Sequence, residues 1–166
     1  MAAVLVTGMS GTGKSAALAE LGRRGHRVVD TDYGGYSVEV PFSGPGGFEQ
    51  LWREDRIEAL LDGHEDGVLF VSGCVSNQGK FYPRFDAVVL LSAPAEVILE
   101  RVAGRESNVF GKRDVERERI LDDLVSVEPR LRAGATAEID TRAALVDVAD
   151  ALERIADSVR LGRDGS

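Results

Sequence analysis

The sequence predicts an α/β fold in which helices cover both faces of a parallel sheet. Two observations predict it. Short apolar runs that are typical of buried strands alternate with amphipathic segments of helical length. The first apolar run also leads into a glycine-rich turn and then a helix. No internal repeat or linker divides the 166 residues, so we expect a single domain over residues 1–166.

The predicted strands are continuous apolar runs, and the predicted helices have apolar residues at helical spacing. The five strands are Ala3–Val6, Arg27–Val29, Val68–Val71, Ala87–Leu91 and Thr136–Ile139. The helices are Ser15–Arg24, Phe48–Leu61, Ala95–Ala103, Arg113–Leu131 and Arg142 to about Val159. Glycine, proline and polar residues predict loops at Tyr33–Gly47, Ser72–Phe85 and Gly104–Gly111, and we expect the last of these to be mobile.

The charge of the chain is acidic, with 28 Asp and Glu against 20 Lys and Arg and a net charge of −8. This balance disfavours a nucleic acid partner, because duplex binding depends on cationic contacts to phosphates. No apolar run approaches the roughly 18 residues that a membrane span needs. The single Cys74 excludes an internal disulfide. We therefore expect a cytoplasmic monomer or homodimer with no membrane or nucleic acid partner.

The most specific motif is Gly8-Met9-Ser10-Gly11-Thr12-Gly13-Lys14-Ser15, which matches G-x-x-x-x-G-K-[ST]. Its glycines allow a tight turn whose N–H groups face phosphate oxygens, and the following helix places its positive end there. Lys14 is suited to reach the β- and γ-phosphates, and the Ser15 hydroxyl to ligate Mg²⁺. The motif predicts nucleotide binding through Gly8, Ser10, Gly11, Thr12, Gly13, Lys14 and Ser15, with ATP and Mg²⁺ as cofactors.

Two absences narrow the class of nucleotide protein. The third strand runs into Ser72 without the acidic residue that typically ends a Walker B strand. No N-K-x-D guanine motif occurs either, which favours ATP over GTP. The sequence therefore disfavours motors and GTPases, which couple nucleotide hydrolysis to mechanical work.

The order of motifs resembles the P-loop small-molecule kinases, which include the nucleoside monophosphate kinases and the shikimate and gluconate kinases. Asp30-Thr31-Asp32 is similar to the acidic end of the second strand in shikimate kinases. Leu99–Arg105 resembles the helix-to-lid E-R-x-x-x-R of adenylate-kinase-like proteins, and Ile139-Asp140-Thr141 their adenine loop. The resemblance implies strand order 2-3-1-4-5, an acceptor-binding region at about residues 33–64 and a water-excluding lid at about 104–113.

The resemblance also implies roles for single residues. Arg101 would stack on adenine, Arg105 would stabilise the transferring phosphoryl group, and Asp140 and Thr141 would lie near the base. Asp32 would face the acceptor, either as a base or, through water, as a Mg²⁺ ligand together with Ser15. Whether Asp30 or Asp32 is the functional acid stays open, and so does an ordinary surface role for these charges. Lys14, Asp32 and Arg105 are the expected catalytic residues.

These features predict an ATP- and Mg²⁺-dependent phosphotransferase whose acceptor is a small molecule. The acidic Asp30-Thr31-Asp32 favours a hydroxyl acceptor. A nucleoside monophosphate kinase and a non-catalytic ATP-binding regulatory protein are the alternatives. The loop after the third strand matches no acceptor loop of these families, although Ser76, Asn77 and Gln78 could contact a base or sugar. Arg53 and Arg56 could grip an anionic acceptor or form an ordinary solvated face.

Overall fold

A computed structural model of the chain describes residues 2–41, 48–105 and 112–164. In chain order the elements are β1 (Ala2–Thr7), α1 (Lys14–Arg23), β2 (Arg27–Asp30), β3 (Ser37–Pro41), β4 (Phe48–Trp52), α2 (Glu54–Asp62), β5 (Val68–Ser72), a 3₁₀ helix (Gln78–Arg84), β6 (Ala87–Ser92), α3 (Ala95–Arg105), α4 (Lys112–Ser126), α5 (Glu128–Gly134), β7 (Ala137–Asp140) and α6 (Leu145–Asp164).

The main sheet has five parallel strands in the order β2-β5-β1-β6-β7. Counted among these five strands alone, the order is the expected 2-3-1-4-5. The central strand β1 is buried along its whole length, and its Leu5 lies beside Val71 of β5 and Val88 of β6. The continuous apolar runs of the sequence therefore correspond to strands with both faces covered.

Each face of the sheet carries its own apolar core. On one face, α1 and α6 pack through side chains such as Leu21 and Leu152 against Val6 and Phe70. On the other face, Trp52 of β4 joins residues of α2 and of the 3₁₀ helix over Leu5. Trp52 is only 2% exposed, so β4 is fixed to the sheet by one large side chain.

The segment expected to bind the acceptor folds differently from its prediction. Residues Ser37–Pro41, predicted as part of a loop, pair antiparallel with Phe48–Trp52, predicted as the start of a helix. Both predictions are wrong there, and α2 begins only at Glu54. The side chain of Asn77 accepts a hydrogen bond from Trp52 N at 2.8 Å and donates one to Trp52 O at 3.0 Å. Trp52 is thereby held in an extended conformation. We call β3 and β4 the hairpin.

The bounds of other helices and loops also differ from those predicted. The single helix predicted over Arg113–Leu131 is two helices, α4 and α5. Pro129 lacks an N–H and its ring clashes with the carbonyl four residues earlier, so one helix cannot continue through it. The predicted loop Ser72–Phe85 contains the 3₁₀ helix. Helix α3 extends past Ala103, and α6 begins and ends later than predicted.

The expected lid at 104–113 falls mainly on residues 106–111, which lie outside the described residues. Gly104 and Arg105 end α3, and Lys112 and Arg113 begin α4. Among the helices of the described ranges, none combines the length and apolarity that crossing a membrane requires.

Candidate active site

Loops from several strands meet at one edge of the main sheet. Strands β1, β2, β5 and β6 end at Thr7, Asp30, Ser72 and Ser92, and since they are parallel their carboxyl ends share that edge. Crevices beyond the carboxyl ends of parallel strands are where ligands bind in open α/β sheets. The predicted phosphate loop, Gly8–Ser15, follows β1 at the centre of this edge.

Close packing explains two glycines of the phosphate loop. A Cβ at Gly8 would lie 2.5 Å from the backbone oxygen of Leu91. Gly11 has a φ of +84°, and a Cβ there would lie 3.0 Å from Cγ2 of both Ile98 and Val102. A side chain at either position would displace the loop. The glycines predicted as nucleotide ligands therefore also fix the path of the loop between β6 and α3.

Inside the loop, Thr12 and Lys14 bind its own carbonyl groups. The buried Thr12 hydroxyl donates to Met9 O at 2.7 Å. The Lys14 Nζ donates to Gly8 O at 2.5 Å and to Met9 O at 3.1 Å. Helix α1 starts at Lys14 directly after Gly13, so the first N–H groups of the helix lie at the same place as the ammonium group. This arrangement suits a polyphosphate, because both groups favour negative charge.

The acidic pair after β2 lies beside the phosphate loop. The Ser15 hydroxyl donates to Asp30 Oδ2 at 3.0 Å, and the backbone N–H of Asp32 donates to Asp30 Oδ1 at 3.1 Å. Between the two acids, Thr31 is fully buried and its hydroxyl donates to Ser72 O at 2.7 Å. Thr31 thereby anchors the turn, with Asp30 against Ser15.

Asp32 carries the clearest electrostatic perturbation in this group. Loss of hydration to the surrounding protein raises the pKa of its carboxyl group, and the neighbouring charge of Asp30 raises that pKa further. The Lys14 ammonium acts in the opposite direction. Asp32 and Lys14 are therefore close enough to interact, although they are 18 positions apart in the sequence. The structure brings together Lys14, Ser15, Asp30 and Asp32.

Ser15 and Asp30 fit the ligand chemistry of Mg²⁺. This ion prefers oxygen ligands and is usually held by one or two protein groups together with waters and substrate phosphates. The hydroxyl of Ser15 and the carboxylate of Asp30 form such a pair. The sequence predicts Asp32 together with Ser15, whereas the carboxylate that the Ser15 hydroxyl contacts in the structure is that of Asp30. Within the described ranges, no group of three or more His, Cys, Asp or Glu is arranged to hold a metal.

Arg101, predicted to stack on adenine, connects three segments of the site edge. Its guanidinium donates to Gly11 O at 3.2 Å, to Thr141 Oγ1 at 2.9 Å and to Thr141 O at 2.6 Å. The backbone N–H of Thr141 in turn donates to Ser92 O at 2.8 Å. Arg101 thus fixes the distance between the phosphate loop and the predicted adenine loop. We call these contacts the Arg101 bridge.

Three further predicted residues lie at different places in the structure. Asp140 lies at the end of β7 and pairs with Arg142 at 2.7 Å, and this hydrogen-bonded partner lowers the pKa of the Asp140 carboxyl. Ser10 is exposed on the phosphate loop. Arg105 is the last residue of α3, and its side chain lies outside the described part of the structure.

The polar residues after β5 bind to the protein itself. Asn77 holds the Trp52 backbone, and the buried Gln78 donates to Thr7 Oγ1 and to the Tyr82 hydroxyl, each at 3.0 Å. Ser76 donates to Glu49 of the hairpin at 3.1 Å. These side chains therefore support the site edge through contacts that the sequence did not indicate.

The packing around Cys74 near the site was not predicted from the sequence. Cys74 follows β5 and packs with Leu124 and Val127 around Met9 of the phosphate loop. Burial raises the pKa of the Cys74 thiol, and the charges of Asp32 and Asp123 act on it in the same direction. Asp123 of α4 therefore acts on the same thiol as Asp32. The sequence held no local signal for this, because Asp123 is one of many charges in a polar helix.

Comparison with known proteins shows which families and structures this chain resembles. A family model described as AAA domain matches residues 4–122. The structure of shikimate kinase from Acinetobacter baumannii in complex with shikimate has a TM-score of 0.64 and 16% identity, over 95% of this chain and 94% of that chain. Shikimate kinase from Bacteroides thetaiotaomicron has a TM-score of 0.57 and 17% identity, over 98% and 96%.

A third similar structure is a sugar kinase from Janibacter sp., with a TM-score of 0.51 and 19% identity, over 96% of this chain and 98% of that chain. No curated protein sequence matches the chain. At identities this low the likeness establishes the fold. The P-loop kinase-like fold expected from the sequence is confirmed.

Proposed function

We propose that this chain, which belongs to the AAA domain family and has a P-loop kinase-like fold, transfers the γ-phosphate of ATP to a hydroxyl group of a small molecule. The observation that carries the proposal is the position of Asp32. Its carboxylate lies at the same sheet edge as the phosphate loop and within electrostatic reach of Lys14. A kinase needs its phosphate-binding cation and its acceptor-side base close together in this way.

In this proposal the phosphate loop holds the donor. The N–H groups at the start of α1 and the Lys14 ammonium bind the β- and γ-phosphates in place of the carbonyl groups that Lys14 contacts here. Ser15 and Asp30 would hold Mg²⁺, which neutralises charge on the phosphates when bound. A water-mediated contribution from Asp32 to the ion, as the sequence predicts, is compatible with its contact to Asp30.

Asp32 would accept the proton of the attacking hydroxyl. General bases work best when their pKa lies near the operating pH, and the pKa of Asp32 is displaced upward in that direction. The Arg101 bridge would keep the adenine loop in register with the phosphate loop. Arg105, by resemblance, would stabilise charge on the transferring group.

The test is ATP consumption by the purified chain with Mg²⁺, alone and with two acceptor pools. One pool contains hydroxyl-bearing metabolites and the other nucleoside monophosphates. We expect the hydroxyl pool to stimulate ADP formation, and Asp32→Asn to reduce this stimulation about 10²- to 10⁴-fold, the usual contribution of a positioned base. ATP binding by the variant should be retained, because Asp32 does not belong to the phosphate loop.

Two results would favour one of the alternative functions instead. Stimulation by the nucleotide pool, insensitive to Asp32→Asn, would indicate a nucleoside monophosphate kinase. ATP binding without stimulation by either pool, unchanged in Asp32→Asn, would favour a regulatory ATP-binding protein. Lys14→Ala serves as the control that abolishes nucleotide binding in every case.

A further inference from the structure

Thr31, which lies between the two acids of the site edge, is held by both strands of the hairpin. From β4, the Trp52 indole Nε1 donates to Thr31 Oγ1 at 2.8 Å. From β3, the Ser37 hydroxyl donates to Thr31 O at 2.8 Å. We call residues 30–32 the acid turn. Because Asp30 and Asp32 are joined to Thr31 by peptide bonds, a shift of the hairpin would be passed on to both carboxylates.

The hydrogen bonds of the Thr31 hydroxyl have only one possible direction. An indole N–H can only donate and a carbonyl oxygen can only accept, whereas a threonine hydroxyl has one proton to give. Trp52 therefore donates to Oγ1, and Oγ1 donates to Ser72 O at 2.7 Å. Ser72 O also accepts from the backbone N–H of Thr31 at 3.0 Å. The hydroxyl thus connects the end of β4 to the end of β5.

This connection is buried and tightly enclosed. Thr31 is fully buried, and so is nearly all of Trp52. A Cβ on Gly73 would lie 2.6 Å from Thr31 Oγ1 and 3.0 Å from Trp52 Nε1, so only glycine leaves room for the hydrogen bond there. When one partner of a buried hydrogen bond is removed, the other is left unsatisfied at the cost of its desolvation. The positions of the hairpin and of the acid turn therefore depend on each other.

We propose that Trp52 is a positioning residue, which through the Thr31 hydroxyl holds the acid turn with Asp32 towards the acceptor and Asp30 against Ser15. This inference rests on the proposed phosphotransferase activity, since it concerns the acceptor side of that reaction. The hairpin then contributes to transfer without touching the reacting atoms, because transfer depends on how the acceptor hydroxyl, its base and the γ-phosphate are placed. A purely structural Trp52 would only fill the core.

The first experiment uses the ATP-consumption assay with an acceptor that the hydroxyl pool identifies. Thr31→Val keeps the shape of the side chain but removes the acceptor of the Trp52 N–H and the donor to Ser72 O. We expect kcat to fall about ten- to a hundredfold, the loss that a small displacement of a reacting group causes. Thr31→Ser, which keeps the hydroxyl, should restore most of the rate. Affinity for ATP without Mg²⁺ should stay unchanged in both variants, because neither alters the phosphate loop.

A double variant and a core variant separate positioning from a general loss of stability. Trp52→Phe removes the indole N–H, and in combination with Thr31→Val it leaves neither partner unsatisfied. If the two residues act through one hydrogen bond, the double variant should lose no more kcat than Thr31→Val alone. The matched control is Leu69→Val, which truncates a side chain of the same core near the other end of β5. It should lower the Tm and leave kcat unchanged.

The second experiment needs no turnover and no folded Thr31→Val. Trp52 is the only tryptophan of the chain, so its indole N–H gives a single NMR signal whose hydrogen exchange can be followed. Ser37→Ala removes the β3 hydrogen bond to Thr31 without altering the indole. If both strands hold the acid turn jointly, indole exchange should accelerate about two- to tenfold, the equivalent of one hydrogen bond. The control Ser76→Ala removes the hairpin contact to Glu49 and should leave that exchange unchanged.

Three results would overturn the assignment of Trp52 and leave the kinase proposal standing. They are an unchanged kcat in Thr31→Val, an equal loss of kcat in Leu69→Val, and indole exchange in Ser37→Ala that matches the unaltered chain. Failure of the proposed function has a different signature, because then no acceptor pool stimulates ADP formation even with the unaltered chain. The exchange experiment still decides in that case whether the hairpin holds the acid turn.

Discussion

Replacing Arg101 by lysine distinguishes two roles for this residue. By resemblance it stacks on adenine, whereas in the structure its guanidinium joins Gly11 of the phosphate loop to Thr141 through the three hydrogen bonds of the Arg101 bridge. Lysine keeps the charge and one donor centre but lacks the planar fork that serves Gly11 and Thr141 together. We therefore expect Arg101→Lys to lose two of the three hydrogen bonds.

The expected magnitude follows from those two bonds. A hydrogen bond involving a charged group contributes roughly 1.5–3 kcal/mol. Arg101 is only partly buried, so water replaces part of what is lost and each bond is reduced to about half to one kcal/mol in stability. Arg101→Lys should then lower the free energy of unfolding by about 1–2 kcal/mol, which for a chain of this size is a decrease in Tm of about 2–8 °C.

The assay has two parts. The Tm of the nucleotide-free chain is measured by calorimetry for wild type, Arg101→Lys and Arg142→Lys. Arg142 is the matched control, because it follows Thr141 in the loop that Arg101 contacts and its ion pair is with the exposed Asp140. Binding of ATP is then compared with binding of tripolyphosphate, which has no base. If Arg101 positions the phosphate loop, the substitution weakens both ligands; if it only stacks on adenine, it weakens ATP alone.

The reasoning would be refuted by a Tm for Arg101→Lys equal to that of Arg142→Lys, or by tripolyphosphate binding that does not change. Either result would mean that the contacts to Gly11 and Thr141 contribute nothing measurable. Arg101 would then act only by stacking on the adenine ring.

Three further predictions concern the phosphate loop and its acids. Asp30→Asn removes the negative charge and one of the two carboxylate oxygens beside the Ser15 hydroxyl, and the Mg²⁺ concentration for half-maximal ATP consumption should rise about tenfold; an unchanged titration would exclude Asp30 as a ligand. The raised pKa of Asp32 should place the acidic limb of the kcat profile above the pH of an ordinary carboxyl, and Asp32→Asn should abolish that limb. A raised pKa in the folded state means that folding disfavours the ionised carboxylate of Asp32. The stability that protonated Asp32 contributes is therefore lost as the pH rises through that pKa. At pH 7 the Tm of Asp32→Asn should accordingly equal or exceed that of the wild type. Gly11→Ala, strained at φ +84°, should weaken ATP binding about tenfold or more by calorimetry, whereas Gly79→Ala, with open space around it, should not.

The main sheet and the phosphate loop could be predicted because their signals are local. Buried parallel strands such as Val68–Ser72 need continuous apolar runs, and the loop needs glycines where Leu91 and Ile98 approach its backbone. The division between α4 and α5 was also readable from the sequence, since Pro129 stands in the predicted helix. The helical spacing of the apolar residues on both sides of Pro129 nevertheless predicts one continuous helix.

The hairpin could not be predicted in the same way. Phe48, Leu51 and Trp52 have the spacing of an apolar helix face, and the extended conformation depends on partners elsewhere in the chain. One partner is the strand Ser37–Pro41, and the other is Asn77, 25 residues beyond Trp52. The contacts of Arg101 depend likewise on packing between distant segments, which a single sequence does not reveal.

The hairpin has a consequence for how the acceptor side of this fold can change. Its strands pair with each other and not with the main sheet. Its anchors to the rest of the chain include the Trp52 side chain, which donates to Thr31 at 2.8 Å, and the Asn77 amide. Ser37 Oγ, which donates to Thr31 O at 2.8 Å, and Glu49, which accepts from Ser76 at 3.1 Å, add two more. Substitutions at the other positions of β3 and β4 can therefore accumulate without disturbing the register of the main sheet or the phosphate loop. The hairpin behaves as an exchangeable module, through which the proposed phosphotransferase could be adapted to new acceptors.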